Sequence, residues 1–179
     1  PATRAATYAW TIAKDVDKTS VDVTPGGDAV FNYTVSAIPG AVTYSGWQVS
    51  GVITVTNPNP FPVTASSITD NLTGGGTCIV TDGTNVVVGA GATVDRNYTC
   101  TAATAATSEN TATVTWDRFA ATDGTASVTE PVTYTTTSST NQTVHVVDDQ
   151  TDPANPVDLG TAEWNPDGIP VEFPYSLTK

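Results

Sequence analysis

The sequence predicts an all-β protein, and three features of its composition lead to that prediction. Of 179 residues, 35 are Thr and 23 are Val, whereas only three are Leu and none is Met. Thr and Val are branched at Cβ and favour the pleated strand, while helical bundles depend on Leu, Ala, Glu and Lys. Charged residues make up only 13% of the chain, so Thr, Ser and Asn must supply much of the polar surface.

The same composition excludes several functional classes. The net charge of −12 would repel phosphate, so we expect no nucleic-acid partner. No run of about 18 apolar residues occurs, so we expect no membrane-spanning helix. One His and two Cys leave few groups for metal binding or covalent catalysis. We therefore expect no enzymatic activity and no tightly bound cofactor.

Short runs of alternating apolar and polar residues follow one another from residue 7 to about residue 120. Turn residues such as Pro25-Gly26-Gly27-Asp28 and Asn57-Pro58-Asn59-Pro60 separate them. The runs lie at 7–12, 21–23, 29–37, 49–55, 62–69, 76–81, 85–89, 93–102 and 110–116. About eight to ten short strands are typical of a β-sandwich with immunoglobulin-like architecture, so we predict such a domain over residues 1–122.

Residues 123–179 form fewer strands. A Ser/Thr-rich stretch at 122–143 reads as a strand-forming connector, residues 144–148 alternate, and 148–156 is an acidic, Pro-containing loop. Val171, Phe173, Tyr175 and Leu177 alternate again, and Pro174 places that strand at a sheet edge, because proline donates no ladder hydrogen bond. These few strands cannot close a sandwich, so we predict a second, incomplete β-sandwich-like part.

An incomplete sandwich leaves an unpaired strand edge, and a strand from a neighbouring subunit can cover it. Tyr8, Trp10 and Ile12 alternate near one end of the chain, and Val171, Phe173 and Tyr175 near the other, so these are the predicted inter-subunit strand residues. Such a head-to-tail contact does not close on itself and produces a filament. The alternative is that the C-terminal strands simply pack on the first domain.

Several passages resemble the bacterial "conserved repeat" domains, an immunoglobulin-like family strung in tandem on large exported proteins. The resemblance rests on residues 8–17 (YAWTIAKDVD), 46–58 (GWQVSGVITVTNP), 110–114 (NTATV), 143–149 (TVHVVDD), Leu159-Gly160 and 173–176 (FPYS). It implies a cell-surface stalk, adhesin or fibre role and carries over no catalytic residues. In that family a second repeat continues with further strands after Tyr175-Ser176.

Cys78 and Cys100 flank two strand-like runs, and alternation allows both thiols to point inward. In an oxidising compartment they would close a loop whose entropy is worth about 3 kcal/mol. The alternative is two buried free cysteines. Because the hydroxyl-rich, Lys-poor surface is typical of exported proteins, we predict the disulfide and an extracellular, cell-surface location, for a mature or trimmed form without a signal peptide.

Lys14 lies four positions after Trp10 on the same predicted strand, so both side chains point to the same face. The Lys14 amine is therefore aimed toward the core, where an unpaired ammonium is costly. One solution is an isopeptide bond to Asn110, promoted by the carboxylate of Glu109 or Asp15. The alternative is that Lys14 ends its strand and reaches solvent.

The remaining candidates are binding and modification sites. Asp148, Asp149, Asp152 and Asp158, with Asn155, crowd one loop that offers a weak calcium site or is simply a solvated acidic loop. Trp164 is the tryptophan expected to be exposed, for a sugar or for another subunit, whereas Trp10, Trp47 and Trp116 fall on core faces. Asn32, Asn71, Asn97 and Asn141 each begin an Asn-x-Ser/Thr triplet and are glycan acceptors only in a glycosylating host.

Together these features predict a structural subunit of an extracellular, pilus-like filament, a homopolymer assembled by strand complementation. A monomeric stalk repeat of a large surface adhesin is the first alternative. A carbohydrate-binding module, with host or environmental glycans as partners, is the second.

Overall fold

The structure is a computed structural model that describes residues 1–102, 104, 109–149 and 151–179. Within those ranges the chain is all-β, as predicted, with twelve strands and no α-helix. No helix there has the length and apolar character that crossing a bilayer requires. The strands are β1 (Ala2–Val16), β2 (Val30–Thr56), β3 (Val63–Leu72), β4 (Thr77–Val80), β5 (Thr84–Val88), β6 (Thr93–Ala102), β7 (Glu109–Trp116), β8 (Thr125–Pro131), β9 (Thr135–Thr140), β10 (Thr143–Asp148), β11 (Val157–Glu163) and β12 (Val171–Thr178).

Contacts divide the described chain into two compact units. Unit 1 contains residues 1–5 and 44–138, and unit 2 contains residues 6–43 and 139–179. These bounds differ from the predicted domains at 1–122 and 123–179, because β1 and β2 each contribute residues to both units. The predicted folding domains stay a prediction.

Unit 1 is sandwich-like, since an apolar cluster packs between two groups of antiparallel strands. One group has the order β4-β6-β2, and the other has the order β5-β3-β7-β8. Alternation places the apolar residues of each strand on the shared inner face. The cluster consists of Ile53, Ala65, Ile68, Val86 and Val88, with Val55, Val80, Val94, Tyr98, Ala112 and Val114 packed against it.

Unit 2 is built from strands that are far apart in sequence. β12 pairs antiparallel with β2, from Val171 opposite Ala37 to Thr178 opposite Val30, and β10 pairs with β11. As Pro174 predicted, β12 pairs on one side only among the described strands, with β2. The core of unit 2 consists of Val35, Ala37, Val146 and Ala162, with Trp10, Val144, Leu159, Val171, Phe173 and Tyr175 packed against it.

The strand predictions at 29–37 and 49–55 were wrong in one respect, because one continuous strand, β2, covers both. Its neighbour β1 runs antiparallel to it: the Pro1 carbonyl accepts from the Ser50 N–H at 2.9 Å, and the Asp17 N–H donates to the Asn32 carbonyl at 3.0 Å. Pairing with β1 keeps the intervening residues extended despite their Pro and Gly content.

Two other segments differ from the sequence prediction. Residues 21–23 form no strand, since Val21 and Val23 are the only apolar residues between Lys18 and the turn at Pro25. Residues 157–163 form β11, which we had not predicted. Gly160, with φ of +101°, interrupts the alternation there, and a register shift lies opposite it between Val146 and Val147.

Candidate functional site

The disulfide of unit 1 has an acidic neighbour. Cys78 of β4 and Cys100 of β6 are directly opposite each other and form the predicted disulfide, with an S–S distance of 2.02 Å. Cys100 is fully buried, and its Sγ lies 3.0 Å from Oδ2 of Asp70, on β3. The Asp70 carboxyl and the two sulfurs are the only group of three potential metal ligands in the described residues. Because both sulfurs are committed to the disulfide, this group is not a metal site.

Asp70 belongs to a buried polar cluster with Tyr98 and Asn110. The Asn110 amide donates to the Tyr98 hydroxyl at 3.1 Å, while Oδ1 of Asn110 and Oδ1 of Asp70 are both buried without a hydrogen-bond partner. Burial raises the pKa of Asp70, and a hydrogen bond with Asn110 offsets part of that effect. Burial and the nearby Asp70 charge raise the pKa of Tyr98. The sequence could have indicated that Asp70 faces inward, because it lies two positions from each of the buried residues Ile68 and Leu72 on the same strand.

A second polar cluster, in unit 2, is centred on Asp148 at the end of β10. The side chain of Asp148 is 3% exposed, and its Oδ2 lies 2.5 Å from the Lys14 ammonium. The same oxygen accepts hydrogen bonds from the hydroxyls of Tyr175 and of Thr151, the latter at 3.2 Å. Lys14 also donates to Thr151 and lies 4.8 Å from the centre of the Tyr33 ring. One buried carboxylate oxygen thus faces three donors from β1, β12 and the loop after β10.

The charge of Lys14 is stabilised in this cluster. Burial lowers its pKa, but hydrogen bonds to Asp148 and Tyr175 and the charge of Asp148 outweigh that effect, so the pKa is raised. Burial, followed by the hydrogen bond to Asp148, raises the pKa of Tyr175. Lys14 therefore remains an ammonium and forms an ion pair, which is unsuited to nucleophilic attack.

The residues of the predicted isopeptide bond have different partners. Lys14 is an exposed residue whose amine contacts Asp148 in unit 2, whereas Asn110 bonds to Tyr98 in unit 1. Glu109 is exposed at the start of β7, and Asp15 is exposed on β1. The isopeptide bond stays a prediction without support from these contacts.

The carboxylates of the predicted calcium loop do not converge on one point. Asp148 contacts Lys14, and Asp158 bonds to Nε2 of His145 at 2.8 Å. Asp152 accepts from the Asn155 amide at 3.2 Å, which lowers its pKa together with the Ala154 N–H. Asp149 is exposed after β10. Calcium binding stays a prediction, and each of these contacts competes with it.

The predicted inter-subunit strands pair within the chain. β1, which carries Tyr8, Trp10 and Ile12, lies between β2 and β9, and β12, which carries Val171, Phe173 and Tyr175, pairs with β2. Trp10 and the three β12 residues pack on the core of unit 2, whereas Ile12 is 66% exposed.

Trp164 was wrongly expected to be exposed. Its ring lies 4.9 Å from that of Tyr8 and its Nε1 donates to the Gly40 carbonyl at 2.9 Å, so it is half-buried in unit 2. As expected, Trp47 is buried, and Trp10 and Trp116 are half-buried. All four tryptophans are therefore at least half-buried.

The glycan-acceptor candidates differ in how available their amides are. Asn71 and Asn97 are exposed on strands, and Asn141 is exposed in a turn with φ of +58°. The Asn32 amide is already engaged, since it donates to Asp17 at 2.9 Å and accepts from Ser176 at 2.7 Å.

A cleft of about 230 Å³ opens between the two strand groups of unit 1. Ile53 and Val55 of β2 line one wall, and Ala112 and Val114 of β7 line the other together with Ala126 and Val128 of β8. Val128 is 57% exposed although it lies opposite Ala112 on the inner face. β6 pairs with one edge of residues 51–56 of β2, and Pro1, next to the first residue of β1, accepts from the Ser50 N–H on the opposite edge.

The outer face of β3, β7 and β8 consists of uncharged hydroxyl and amide side chains in register. Asn71, Thr111 and Thr129 form one row across the three strands, and Thr69, Thr113 and Ser127 form the next. The hydroxyls of Thr111 and Thr129 are 2.9 Å apart. In a chain with eighteen acidic residues, this face carries no charge over six neighbouring positions.

Comparison with protein-family models, with curated proteins and with solved structures finds no match to this chain.

Proposed function

We propose that this chain is a non-enzymatic structural module of an extracellular surface protein, a stalk repeat with immunoglobulin-like sandwich architecture. The observation that carries the proposal is that β1 and β12, the strands a filament subunit would donate, already lie in sheets of their own chain. A module that provides its own strands needs no second copy in order to fold.

Two further observations support an extracellular stalk. The Cys78–Cys100 disulfide is typical of oxidising compartments. The outer face of β3, β7 and β8 presents hydroxyls and no large apolar patch, as a surface that must stay solvated does. The resemblance to conserved-repeat domains, which occur in tandem on large exported proteins, points to the same role.

Light scattering and electron microscopy of the purified chain over a wide range of concentrations test this proposal. A stalk module stays monomeric at every concentration, whereas a filament subunit forms particles whose length grows with concentration. Fibres of uniform width would overturn the stalk proposal in favour of the filament.

The filament remains the second candidate because of one specific observation, the apolar cleft of unit 1, where Val128 on the inner face is 57% exposed. By strand alternation, Val52 and Thr54 direct their main-chain N–H groups to the same side as Ser50, which is the side away from β6. A strand from a second copy would pair there and place apolar side chains between Ile53 and Val128.

A proline substitution tests this contact. Thr54→Pro removes a donor at the edge of β2 that faces away from β6 and would abolish strand addition there, whereas Thr69→Ala on the outer face of β3 leaves that edge intact. If fibres form and the Thr54→Pro variant still assembles, the β2 edge is not the contact.

A further inference from the structure

We propose that the Cys78–Cys100 disulfide is a thiol–disulfide exchange site in which an incoming thiolate attacks Cys78 and Asp70 gives a proton to the departing sulfur of Cys100. The proposal is independent of the stalk or filament role. It assigns an acid–base function to a half-buried carboxyl of unit 1.

The contact between Asp70 and Cys100 requires a proton. A sulfur in a disulfide carries no hydrogen and is only a weak acceptor, so an ionised carboxylate 3.0 Å away would gain nothing from it. A protonated carboxyl donates its O–H to the sulfur instead. Burial of Asp70 favours that protonated form, because it disfavours the charge.

The two sulfurs are not equivalent to a nucleophile. Cys78 is half-buried on β4, a four-residue strand at the edge of its sheet, next to the turn Gly74-Gly75-Gly76. Cys100 is fully buried on β6, between β4 and β2. A thiolate that approaches from the open edge of β4 therefore reaches Cys78 first.

The reaction balances with a thiol as the only co-reactant. The thiolate forms a bond to Sγ of Cys78, the Cys78–Cys100 bond breaks, and its electron pair leaves with Cys100. Asp70 transfers its proton to that sulfur, which becomes a thiol, and Asp70 becomes a carboxylate. A second thiolate then releases Cys78 as a thiolate and forms the oxidised disulfide of the reagent. In the reverse direction, the Asp70 carboxylate removes the Cys100 proton before the protein disulfide forms again.

Few other titratable groups face Asp70. Tyr98 of β6 shares the hydrogen-bonded cluster, and Tyr134 packs on the apolar cluster around Cys100 with its hydroxyl buried and unpartnered. Glu130 of β8 lies opposite Asn110 and is exposed. Burial and the Asp70 charge raise the pKa of Tyr98, and Glu130 borders solvent. Asp70, whose pKa is raised by burial and whose Oδ2 lies 3.0 Å from the sulfur, is therefore the group placed to give a proton to Cys100.

The first experiment measures the rate at which dithiothreitol reduces the intact protein, without denaturant, from about pH 4, the ordinary pKa of an aspartate, up to neutral pH. After division by the thiolate fraction of the reagent, the wild-type rate constant should fall as pH rises, because ionised Asp70 has no proton to give. Asp70→Asn should be about 10²-fold slower at the acidic end and independent of pH, as loss of a general acid predicts. Asp95→Asn, which changes an exposed carboxyl on β6, should match the wild type.

The second experiment identifies the attacked sulfur in the wild-type protein and needs no variant. Brief treatment with glutathione, alkylation and trypsin digestion should place glutathione on Cys78 and the alkyl group on Cys100, since cleavage after Arg96 separates the two cysteines. Glutathione mainly on Cys100 would overturn the proposal. So would a corrected wild-type rate that does not depend on pH, or a rate independent of thiol concentration, which would mean that reduction waits for unfolding.

Discussion

At the residue scale, the sequence did not identify the partners of the polar side chains. Alternation along β1 predicted that Lys14 points toward the core, whereas its side chain is 28% exposed and its counter-charge, Asp148, lies 134 positions away on a different strand. Spacing along one strand carries no information about such a pair, because only the tertiary fold brings the two strands together. The partner we had predicted, Asn110, belongs to another cluster.

Replacing Asp148 should be strongly destabilising for this reason. Asp148→Ala leaves the Lys14 ammonium and the Tyr175 hydroxyl without their shared acceptor, and we expect a loss of about 2–3 kcal/mol in the free energy of unfolding, because Lys14 remains partly solvated. Urea unfolding would measure it. Asp158→Asn, which disrupts an exposed pair with His145, should leave the free energy of unfolding nearly unchanged, because solvent screens such a pair. Equal effects of the two variants would contradict the central role of Asp148.

Asp70 should stabilise the folded protein more at low pH than at high pH, which is the opposite of what most carboxyl groups do. Its pKa is raised in the folded state, so the native protein binds more protons than the unfolded chain once pH exceeds about 4, the ordinary pKa of an aspartate. Stability from this group is fully present below that pH and is lost as pH rises through the folded pKa. The free energy of unfolding of the wild type minus that of Asp70→Asn should therefore decrease with rising pH, as urea titrations at several pH values can test. A difference that increases with pH would mean that Asp70 is ionised in the native protein.

At the element scale, the all-β class and most strands of unit 1 could be predicted from alternation, because each strand buries one face and exposes the other. β11 could not, since Gly160 and the register shift opposite it break the period of two. The full length of β2 could not be predicted from the sequence either. Its central residues are extended because β1 pairs with them, and a propensity scale does not contain that pairing.

The turn before β5 offers an element-scale test of close backbone packing. The Gly83 carbonyl accepts from the Ile68 N–H, and a Cβ at position 83 would lie 2.6 Å from the Ile68 carbonyl oxygen. Gly83→Ala must therefore displace β3 or the turn, and we expect a loss of about 2 kcal/mol. At position 89 the nearest atom would be 3.4 Å away, so Gly89→Ala should cost less than about 0.5 kcal/mol. Thermal unfolding of both variants measures the difference, and similar melting temperatures would show that the turn adjusts freely.

At the scale of the whole molecule, the clearest general property is charge. Eighteen acidic residues face six basic ones, and only a few of the carboxylates are paired with cations in the described residues. Self-repulsion of this kind opposes the compact state and is screened by salt. The number and bounds of the units, in contrast, depend on long-range pairing by β1, β2 and β12, which composition does not specify.

Salt should therefore stabilise the protein. Raising sodium chloride from low to moderate concentration should increase Tm by about 3 °C, which corresponds to about 1 kcal/mol for a chain of this size. Sodium chloride is preferred to a sulfate salt, since sulfate also strengthens apolar burial. A Tm that falls with added salt would mean that surface attractions outweigh the repulsion.

The tryptophans have one practical consequence for all of these measurements. Trp47 and Trp116 belong to unit 1, whereas Trp10 and Trp164 belong to unit 2, and the rings in each unit have different surroundings. Variants that keep only Trp47 or only Trp10 would give each unit its own fluorescence signal. The order in which the two units lose structure would then be visible by emission alone, without an attached dye.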